Sequence, residues 1–388
     1  MLKPMTLTVV AALGLTAGGL ALAVLPAAAQ QKPVTIVSLV ELSGDGVTSG
    51  TNFRDGVALA VKEINAAGGI LGRQIGLEQF DTQSNPGIAK ALAQKAVDMD
   101  AYAVMGPVYS GSILVSMEET KRAGIPNFTG GEAASITQRG NPYIFRTSFT
   151  QVNAMPRVAR YLKDNLHAKS VAMIWVTNDF GKGGHDVIKK VLDADGVKIA
   201  ADIPTDPGQV DFTAAVLKAK QANADAAFVY LNEDEAGRIL RELKKQGYDK
   251  PIVGETTICG QKVIELAGDA ANGAVCHVGL TVDAPDPLIK KFDQAFQAAY
   301  HYRCDHNGIK GYTAVYDLKA VTEKIGKFDR KAFAEAMHGV KLSAKQTPGI
   351  LMDVSFDANG DLDRESFMVK VVNGKQEVFA TLPALGSN

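Results

Sequence analysis

Three glycines and an aspartate early in the chain have a spacing close to that of a nucleotide-binding loop. Gly44, Gly46 and Gly50 follow one apolar segment, and Asp81 ends the next, which resembles the dinucleotide-binding fingerprint. The spacing does not fit, because Asp81 lies nearly twice as far beyond Gly44 as the roughly 20 residues that the fingerprint requires. We therefore interpret the glycines as a loop at the carboxyl end of a strand, where open α/β sheets bind ligands of many kinds.

Nucleophilic catalysis by a serine is the second possible chemistry. Ser110 lies between an apolar segment and a helical pattern, but its surroundings, GPVYSGS, lack the Gly-x-Ser-x-Gly elbow of serine hydrolases. No histidine has a context that marks it as the partner base. We expect Ser110 to cap a helix and, with the adjacent Tyr109, to face an anionic ligand without catalysis.

Two segments have the residue types of metal sites. The segment DANGDLD at 357–363 alternates oxygen ligands, but Gly360 is not at the sixth position and Met368 stands where a calcium loop needs its bidentate acid. A hairpin turn is expected there. His301, Cys304 and His306 have zinc-like spacing, yet a second ligand cluster is missing from the sequence. We predict neither a metal nor a cofactor.

The elements that position these residues follow a repeated order. Apolar segments such as VTIVSLV (34–40) and SVAMIWVTN (170–178) alternate with segments of helical periodicity, a pattern typical of parallel sheets covered by helices on both faces. EINAAGGILGRQI (63–75) is expected to end a helix and turn into a strand. The last third predicts three helices and hairpins turned at 359–360 and 373–374.

Composition restricts the class of protein. The chain is 46% hydrophobic and 21% charged, with a formal net charge of −1, which is not the balance of a protein that binds nucleic acid or an anionic membrane. Residues 1–29 have Lys3 near their start, then an apolar segment, and end in three alanines. This pattern predicts a signal peptide cleaved after Ala29. A membrane anchor is the alternative for this segment. Cys259 and Cys276 could form one disulfide, and the sequence leaves this pairing and the state of Cys304 open.

Taken in order along the chain, several segments resemble the solute-binding proteins of ABC importers, in the family of the leucine/isoleucine/valine-binding protein. They are LSGDG, GVALAVKEINAAGGILGRQI, FDTQSNPGIA, GPVYSGS, ITQRGNPYIFRT, DFGKGG, LRELKKQGYDKPIVGE and FDANGDL. The resemblance covers the whole chain after the signal peptide.

The resemblance implies an α/β fold of two doubly wound parallel-sheet lobes joined by a three-crossover hinge, the type I periplasmic binding fold. Lobe 1 would hold residues 32–149 and 280–350, and lobe 2 residues 150–279 and 351–384. Such lobes close on a ligand by a hinge motion. The protein would be an exported periplasmic monomer that delivers its ligand to ABC permease subunits and catalyses nothing.

The resemblance also implies a ligand pocket. Ser110 matches the serine that binds a carboxylate, Phe180 the aromatic that closes over the ligand, and Glu255 the acid that pairs with an ammonium. Glu132 stands where relatives have Thr or Ser, and Ser49 where they have an aromatic wall. The complete set of ligand-binding residues expected is Ser49, Tyr109, Ser110, Gly130, Gly131, Glu132, Phe180, Asn232, Asp234 and Glu255.

These departures favour a polar ligand, because unpaired polar groups in a closed pocket cost a few kcal/mol. NEDEA at 232–236 adds three acids after a strand, either as a solvated helix start or as ligand contacts. We expect a small polar solute, an amino acid or an amide-like compound, in preference to leucine. An aromatic acid, a sensory role for the same fold and an exported enzyme are the alternatives.

Overall fold

The computed structural model describes Met1 and residues 32–387. The predicted signal peptide lies outside the described residues. All the elements below belong to the compact unit Pro33–Asn388. In the described part of the chain, no helix has both the length and the hydrophobicity that a membrane span needs.

The strands and helices alternate through the first two thirds of the chain, as the sequence predicts. The strands are β1 Val34–Val40, β2 Ile75–Asp81, β3 Ala103–Met105, β4 Asn127–Thr129, β5 Ile144–Arg146, β6 Ser170–Val176, β7 Lys198–Thr205, β8 Ala226–Tyr230, β9 Ile252–Glu255, β10 Val275–Val278, β11 Lys341–Leu342, β12 Val354–Phe356, β13 Leu362–Asp363, β14 Ser366–Val372 and β15 Lys375–Leu382. The helices are α1 Val47–Ala66, α2 Pro86–Asp98, α3 Ser110–Ala123, α4 Gln151–Arg160, α5 Asp179–Ala194, α6 Thr213–Gln221, α7 Glu233–Lys245, α8 Gln261–Ala267, α9 Pro287–Tyr300, α10 His306–Ile325 and α11 Arg330–Met337.

Two main sheets organise these elements. The first is fully parallel, with the strand order β2-β1-β3-β4-β5. The second has the order β15-β14-β10-β9-β8-β6-β7, in which β14 and β15 form an antiparallel edge on otherwise parallel strands. The inner strands are apolar and almost completely buried, as expected for sheets covered on both faces.

The chain passes between the two sheets three times. It leaves the first sheet after β5, builds the second through β10, and returns to pack α10 against α1. It then re-enters the second sheet as β14 and β15. This path confirms the predicted two-lobed parallel-sheet fold with a three-crossover hinge. The two hairpins predicted in the tail are also confirmed, between β12 and β13 and between β14 and β15.

The glycine-rich segment after α1 is a helix-to-strand turn, as predicted. The Asn65 side chain donates to the carbonyl of Ile75 at 2.9 Å and accepts from its N–H at 2.8 Å, which joins the end of α1 to the start of β2. Gly69 has a φ of +82°, and a Cβ there would lie 1.9 Å from the Arg73 carbonyl oxygen. Only glycine fits that position.

A disulfide links Cys259 to Cys276. It joins the segment after β9 to β10, which resolves a pairing that the sequence left open. Cys304 is a buried thiol, and its Sγ donates to the Asp305 carbonyl oxygen at 3.1 Å.

Candidate functional site

A cavity of about 200 Å³ lies at the carboxyl ends of the strands of both sheets. Its walls come from the loops after β1, β2, β3 and β4 of the first sheet, from those after β6, β7, β8 and β9 of the second, and from the start of α10. Loops from different strands meet here because parallel strands end at the same edge of a sheet.

Every predicted site residue except Asp234 and Glu255 lines this cavity. The lining members of the predicted set are Ser49, Tyr109, Ser110, Gly130, Gly131, Glu132, Phe180 and Asn232. They come from loops separated by long stretches of chain, and the fold brings them together around one space.

Asp234 and Glu255 lie elsewhere. The Asp234 carboxylate accepts a hydrogen bond from the Thr48 hydroxyl at 3.0 Å, which joins the start of α7 to the start of α1. Glu255 is buried behind the cavity wall, where its carboxylate accepts from the Thr256 hydroxyl at 2.6 Å and lies 3.3 Å from His277 Nδ1. Direct ligand contacts by these two acids stay a prediction.

Ser110 is the first residue of α3, and Tyr109 is the cap residue, which corrects the expectation that Ser110 caps the helix. No side chain caps the helix, and its first three residues, Ser110, Gly111 and Ser112, line the cavity. The positive end of the helix dipole therefore lies at the cavity wall. The Ser110 hydroxyl accepts from the Ala133 N–H at 3.4 Å. This part of the wall can bind a carboxylate or another acceptor group.

A buried acid supports the loop before Ser110. The Glu41 carboxylate, at the end of β1, accepts from the N–H groups of Val108 at 3.2 Å and Tyr109 at 3.0 Å. Burial raises the pKa of the Glu41 carboxyl from 4.5 to about 7, although these hydrogen bonds oppose the rise. Glu41 therefore fixes the loop from behind without lining the cavity.

Glu132 forms a buried ion pair that the sequence did not reveal. Lys310 Nζ donates to Glu132 Oε1 at 3.1 Å and to the Gly130 carbonyl oxygen at 3.2 Å. From the second sheet, the Tyr230 hydroxyl donates to Glu132 Oε2 at 3.3 Å. Burial and the nearby Glu255 raise the pKa of the Glu132 carboxyl to about 7, and Lys310 opposes the rise. The protein thus supplies a cation for Glu132 from α10.

A signal for Lys310 does exist in the sequence. The segment GIKGYTAV in α10 places one lysine among small and apolar residues, without a polar helix face around it. The structure buries this whole stretch of the helix. A lysine in such a segment must find an acid, since a buried ammonium without a partner is costly.

Arg146 holds the loop that carries Glu132. Its guanidinium is fully buried and donates to the Gly131 carbonyl oxygen at 2.6 Å, to the Ala133 carbonyl oxygen at 3.0 Å and to Asp361 Oδ1 at 2.6 Å. The loop is therefore fixed by an ion pair between β5 and the β12–β13 hairpin.

Several buried polar atoms of the cavity wall have no hydrogen-bond partner in the protein. They are Asn232 Nδ2, Thr257 Oγ1, Asn307 Oδ1 and both ring nitrogens of His306. Burial, with a smaller contribution from Lys310, lowers the pKa of His306 well below its ordinary value, so its ring is neutral and offers one donor and one acceptor. Such atoms are rare in native interiors, and here they can bind a small polar molecule.

His301, Cys304 and His306, whose spacing resembles that of zinc ligands, do not form a metal site. His301 ends α9 in a left-handed conformation, Cys304 lies in the core and His306 lines the cavity. Across the described residues, no group of three or more His, Cys, Asp or Glu side chains is arranged to hold a metal ion.

Comparison with known proteins places this geometry in a family. Residues 33–376 match the profile of the family described as "Periplasmic binding protein". The leucine-, isoleucine-, valine-, threonine- and alanine-binding protein of Pseudomonas aeruginosa is 29% identical over 334 residues, which cover 84% of this chain and 87% of that protein. A Leu/Ile/Val-binding protein of Rhizobium johnstonii is 28% identical, covering 86% and 90%.

Solved structures share the fold. A branched-chain amino acid transporter substrate-binding protein from Streptococcus pneumoniae, in complex with isoleucine, superposes with a TM-score of 0.82 at 26% identity, covering 91% of this chain and 99% of that one. A solute-binding protein of an ABC transporter from Rhodopseudomonas palustris, in complex with 3,4-dihydroxybenzoic acid, has a TM-score of 0.83 at 22% identity, covering 91% and 98%.

Proposed function

The chain belongs to the periplasmic binding protein family, and from that premise we propose that it captures a small polar solute between its two lobes and delivers it to an ABC-type permease. Its curated relatives are solute-binding proteins and not enzymes. Family members act in the periplasm. For this chain we propose export through a signal peptide cleaved after Ala29, and action as a monomer.

One observation carries the proposal. Unpaired polar atoms line one cavity from both proposed lobes, Asn232 Nδ2 and Thr257 Oγ1 on one side and the His306 ring on the other. Each unpaired buried group costs about 1–3 kcal/mol. A ligand that supplies the missing hydrogen bonds removes this cost, and so stabilises the closed form selectively.

The lobes we propose follow the predicted boundaries with one change. Lobe 1 comprises residues 32–149 and 280–363, and lobe 2 comprises residues 150–279 and 364–384. Residues 351–363 are assigned to lobe 1 because β12 pairs with β11 and because Asp361 binds Arg146.

Closure is supported by hydrogen bonds between the two lobes. Thr48 donates to Asp234, Tyr230 donates to Glu132, and Asn307 Nδ2 donates to Glu233 Oε1 at 3.0 Å. In this proposal, opening the hinge breaks these contacts and admits the ligand.

The ligand we propose is an amino acid or an amide-like solute. Ser110 and the start of α3 would bind its acceptor group, Gly130 and Gly131 would offer main-chain contacts, and Phe180 would cover it. A leucine side chain would leave the polar atoms near Asn232 unpaired. Glu132 already has Lys310 as its cation, so Glu132 by itself does not demand a positively charged ligand.

An aromatic acid is the second candidate ligand. Phe180, which lines the cavity, stacks on Tyr230 with ring centroids 4.2 Å apart and an interplanar angle of 27°. This flat aromatic surface could pack against a ligand ring.

A ligand screen tests the proposal. The chain from residue 30 onwards is heated with amino acids, amides, polyamines and aromatic acids, and hits are measured by isothermal titration calorimetry. A ligand at 100 times its Kd should add about 2.7 kcal/mol of stability. If no compound raises the melting temperature, the proposal fails. If leucine or valine gives the largest shift in melting temperature, the prediction of a polar ligand is wrong.

The Ser110→Ala variant separates binding from catalysis. A binding protein should lose affinity for the ligand found in the screen and convert none of it. Turnover of a screened compound by the wild type, lost in Ser110→Ala, would instead identify an exported enzyme.

A further inference from the structure

Glu233 is a buried acid in the cavity wall. It belongs to the NEDEA segment, for which the sequence left a solvated helix start and ligand contacts open, and it is not in the expected set of ligand-binding residues. It is the first residue of α7, and it is only 5% exposed, whereas acids at helix starts are usually solvated. Its Oε1 accepts from Asn307 Nδ2 at 3.0 Å and lies 3.9 Å from His306 Nε2. Both partners are neutral, so neither balances the charge of the carboxylate.

The charges around Glu233 are mostly negative. Lys310 is the one ammonium among the cavity-lining residues, all of which the structure describes, and it is bound to Glu132 and to the Gly130 carbonyl oxygen. Glu41 and Asp305 are buried nearby, and each is electrostatically coupled to Glu233. Lys310 also attracts Glu233 electrostatically, but its hydrogen bonds go to Glu132 and Gly130. Glu233 therefore has no cation bound directly to its carboxylate, which is costly for a buried acid.

Further acceptors surround the same end of the cavity. Asn307 Oδ1 is buried and unpaired, and the neutral His306 ring leaves one nitrogen as an acceptor. Together with the Glu233 carboxylate, these atoms can accept several N–H bonds from one group. Charge-assisted hydrogen bonds of this kind are about twice as strong as neutral ones.

We propose that Glu233, His306 and Asn307 form a subsite for a cationic nitrogen group of the ligand, an ammonium or a guanidinium, that is separate from the α-amino group of an amino acid. This inference rests on the proposed function and specifies the chemistry of one end of the solute. A neutral group here would leave Glu233 either buried without a partner or protonated. A cation provides the missing counter-charge and uses the free acceptors.

Titration calorimetry at pH 8 with four amino acids of matched length tests the inference. Ornithine, glutamine, glutamate and norleucine end in a cationic, a neutral polar, an anionic and an apolar group, and guanidinium and urea form a matched pair without an amino-acid head. Ornithine should bind about tenfold or more tighter than glutamine and norleucine, with glutamate weakest, and guanidinium should bind tighter than urea.

Glu233→Gln removes the charge and keeps an acceptor for Asn307. Ornithine should lose about tenfold or more in affinity, while glutamine should change by about twofold or less. The matched control is Glu242→Gln, which removes a charge from the same helix at its pair with Lys245, outside the cavity, and it should preserve the preference for ornithine over glutamine. Circular dichroism checks that both variants fold.

Three results with these probes would overturn the subsite. They are equal or weaker binding of ornithine relative to glutamine in the wild type, an unchanged preference in Glu233→Gln, and no binding of any of the six probes. If Glu233→Gln does not fold, the wild-type ranking decides. A solute without such a cationic group, found in the wider screen, would also refute the subsite and leave the proposed function standing.

Discussion

Lys310→Met is expected to destabilise the ligand-free protein strongly. The substitution keeps the length of the side chain and removes the ammonium that lies 3.1 Å from Glu132 Oε1, where Lys310 and Glu132 are 3% and 6% exposed. At that separation and an effective dielectric constant of about 20, the Coulomb attraction is about 5 kcal/mol. Breaking a buried pair by removing one partner typically costs about 3–5 kcal/mol, which is the loss we expect at pH 8.

The loss should depend on pH in a defined direction. Without Lys310, the pKa of the Glu132 carboxyl rises further above about 7. At pH 6 that carboxyl is protonated in the folded variant, so no unpaired charge is buried. The cost should then fall to about 1–2 kcal/mol, mainly the lost hydrogen bond to the Gly130 carbonyl oxygen.

The assay is urea denaturation followed by circular dichroism at pH 6 and pH 8. Glu132→Gln combined with Lys310→Met should recover much of the loss, with a coupling energy of about 2–3 kcal/mol in the double-mutant cycle. Lys319→Met is the control, because Lys319 lies on the same helix in a pair with Glu323 at its surface, and it should cost about 0.5 kcal/mol or less. A loss below about 1 kcal/mol at pH 8, or strictly additive effects, would refute the reasoning.

Reducing the Cys259–Cys276 disulfide, which spans 17 residues, should cost about 3 kcal/mol in urea denaturation, and an unchanged midpoint would contradict this. Arg146→Met should cost about 3–5 kcal/mol of folding stability, because Arg146 joins the binding loop to Asp361. The variant should also bind the ligand found in the screen about tenfold or more weakly, as measured by calorimetry. Wild-type affinity in a folded variant would refute the positioning role of Arg146. Burial raises the pKa of the Glu41 carboxyl from 4.5 to about 7. The stability that this acid contributes is therefore fully present below pH 4.5 and is lost as the pH rises to about 7. The total loss should be about 3 kcal/mol. Glu41→Gln should flatten that part of a pH–stability profile, and an equally steep profile would show that other acids cause the slope.

Much of the fold could be predicted because its signals are local. Each of these signals acts within a few residues of chain: apolar strands, helical periodicity, and the turn residues at 359–360 and 373–374. The order of elements can therefore be predicted from the sequence. The positions of most cavity residues could be predicted for a related reason. Ser110, Glu132, Phe180 and Asn232 each follow a strand, and strand ends converge at the edge of a parallel sheet.

The sequence by itself therefore determined the class of the protein and most of the loops that form its cavity. Only the tertiary structure decided which charges meet there. Lys310 reaches Glu132 across 178 residues of chain, and Asn307 reaches Glu233 across 74. No local pattern encodes these contacts, because they depend on how α10 returns from the second sheet to pack against α1. The packing that pairs Glu132 internally also leaves Glu233 facing the cavity without a cation.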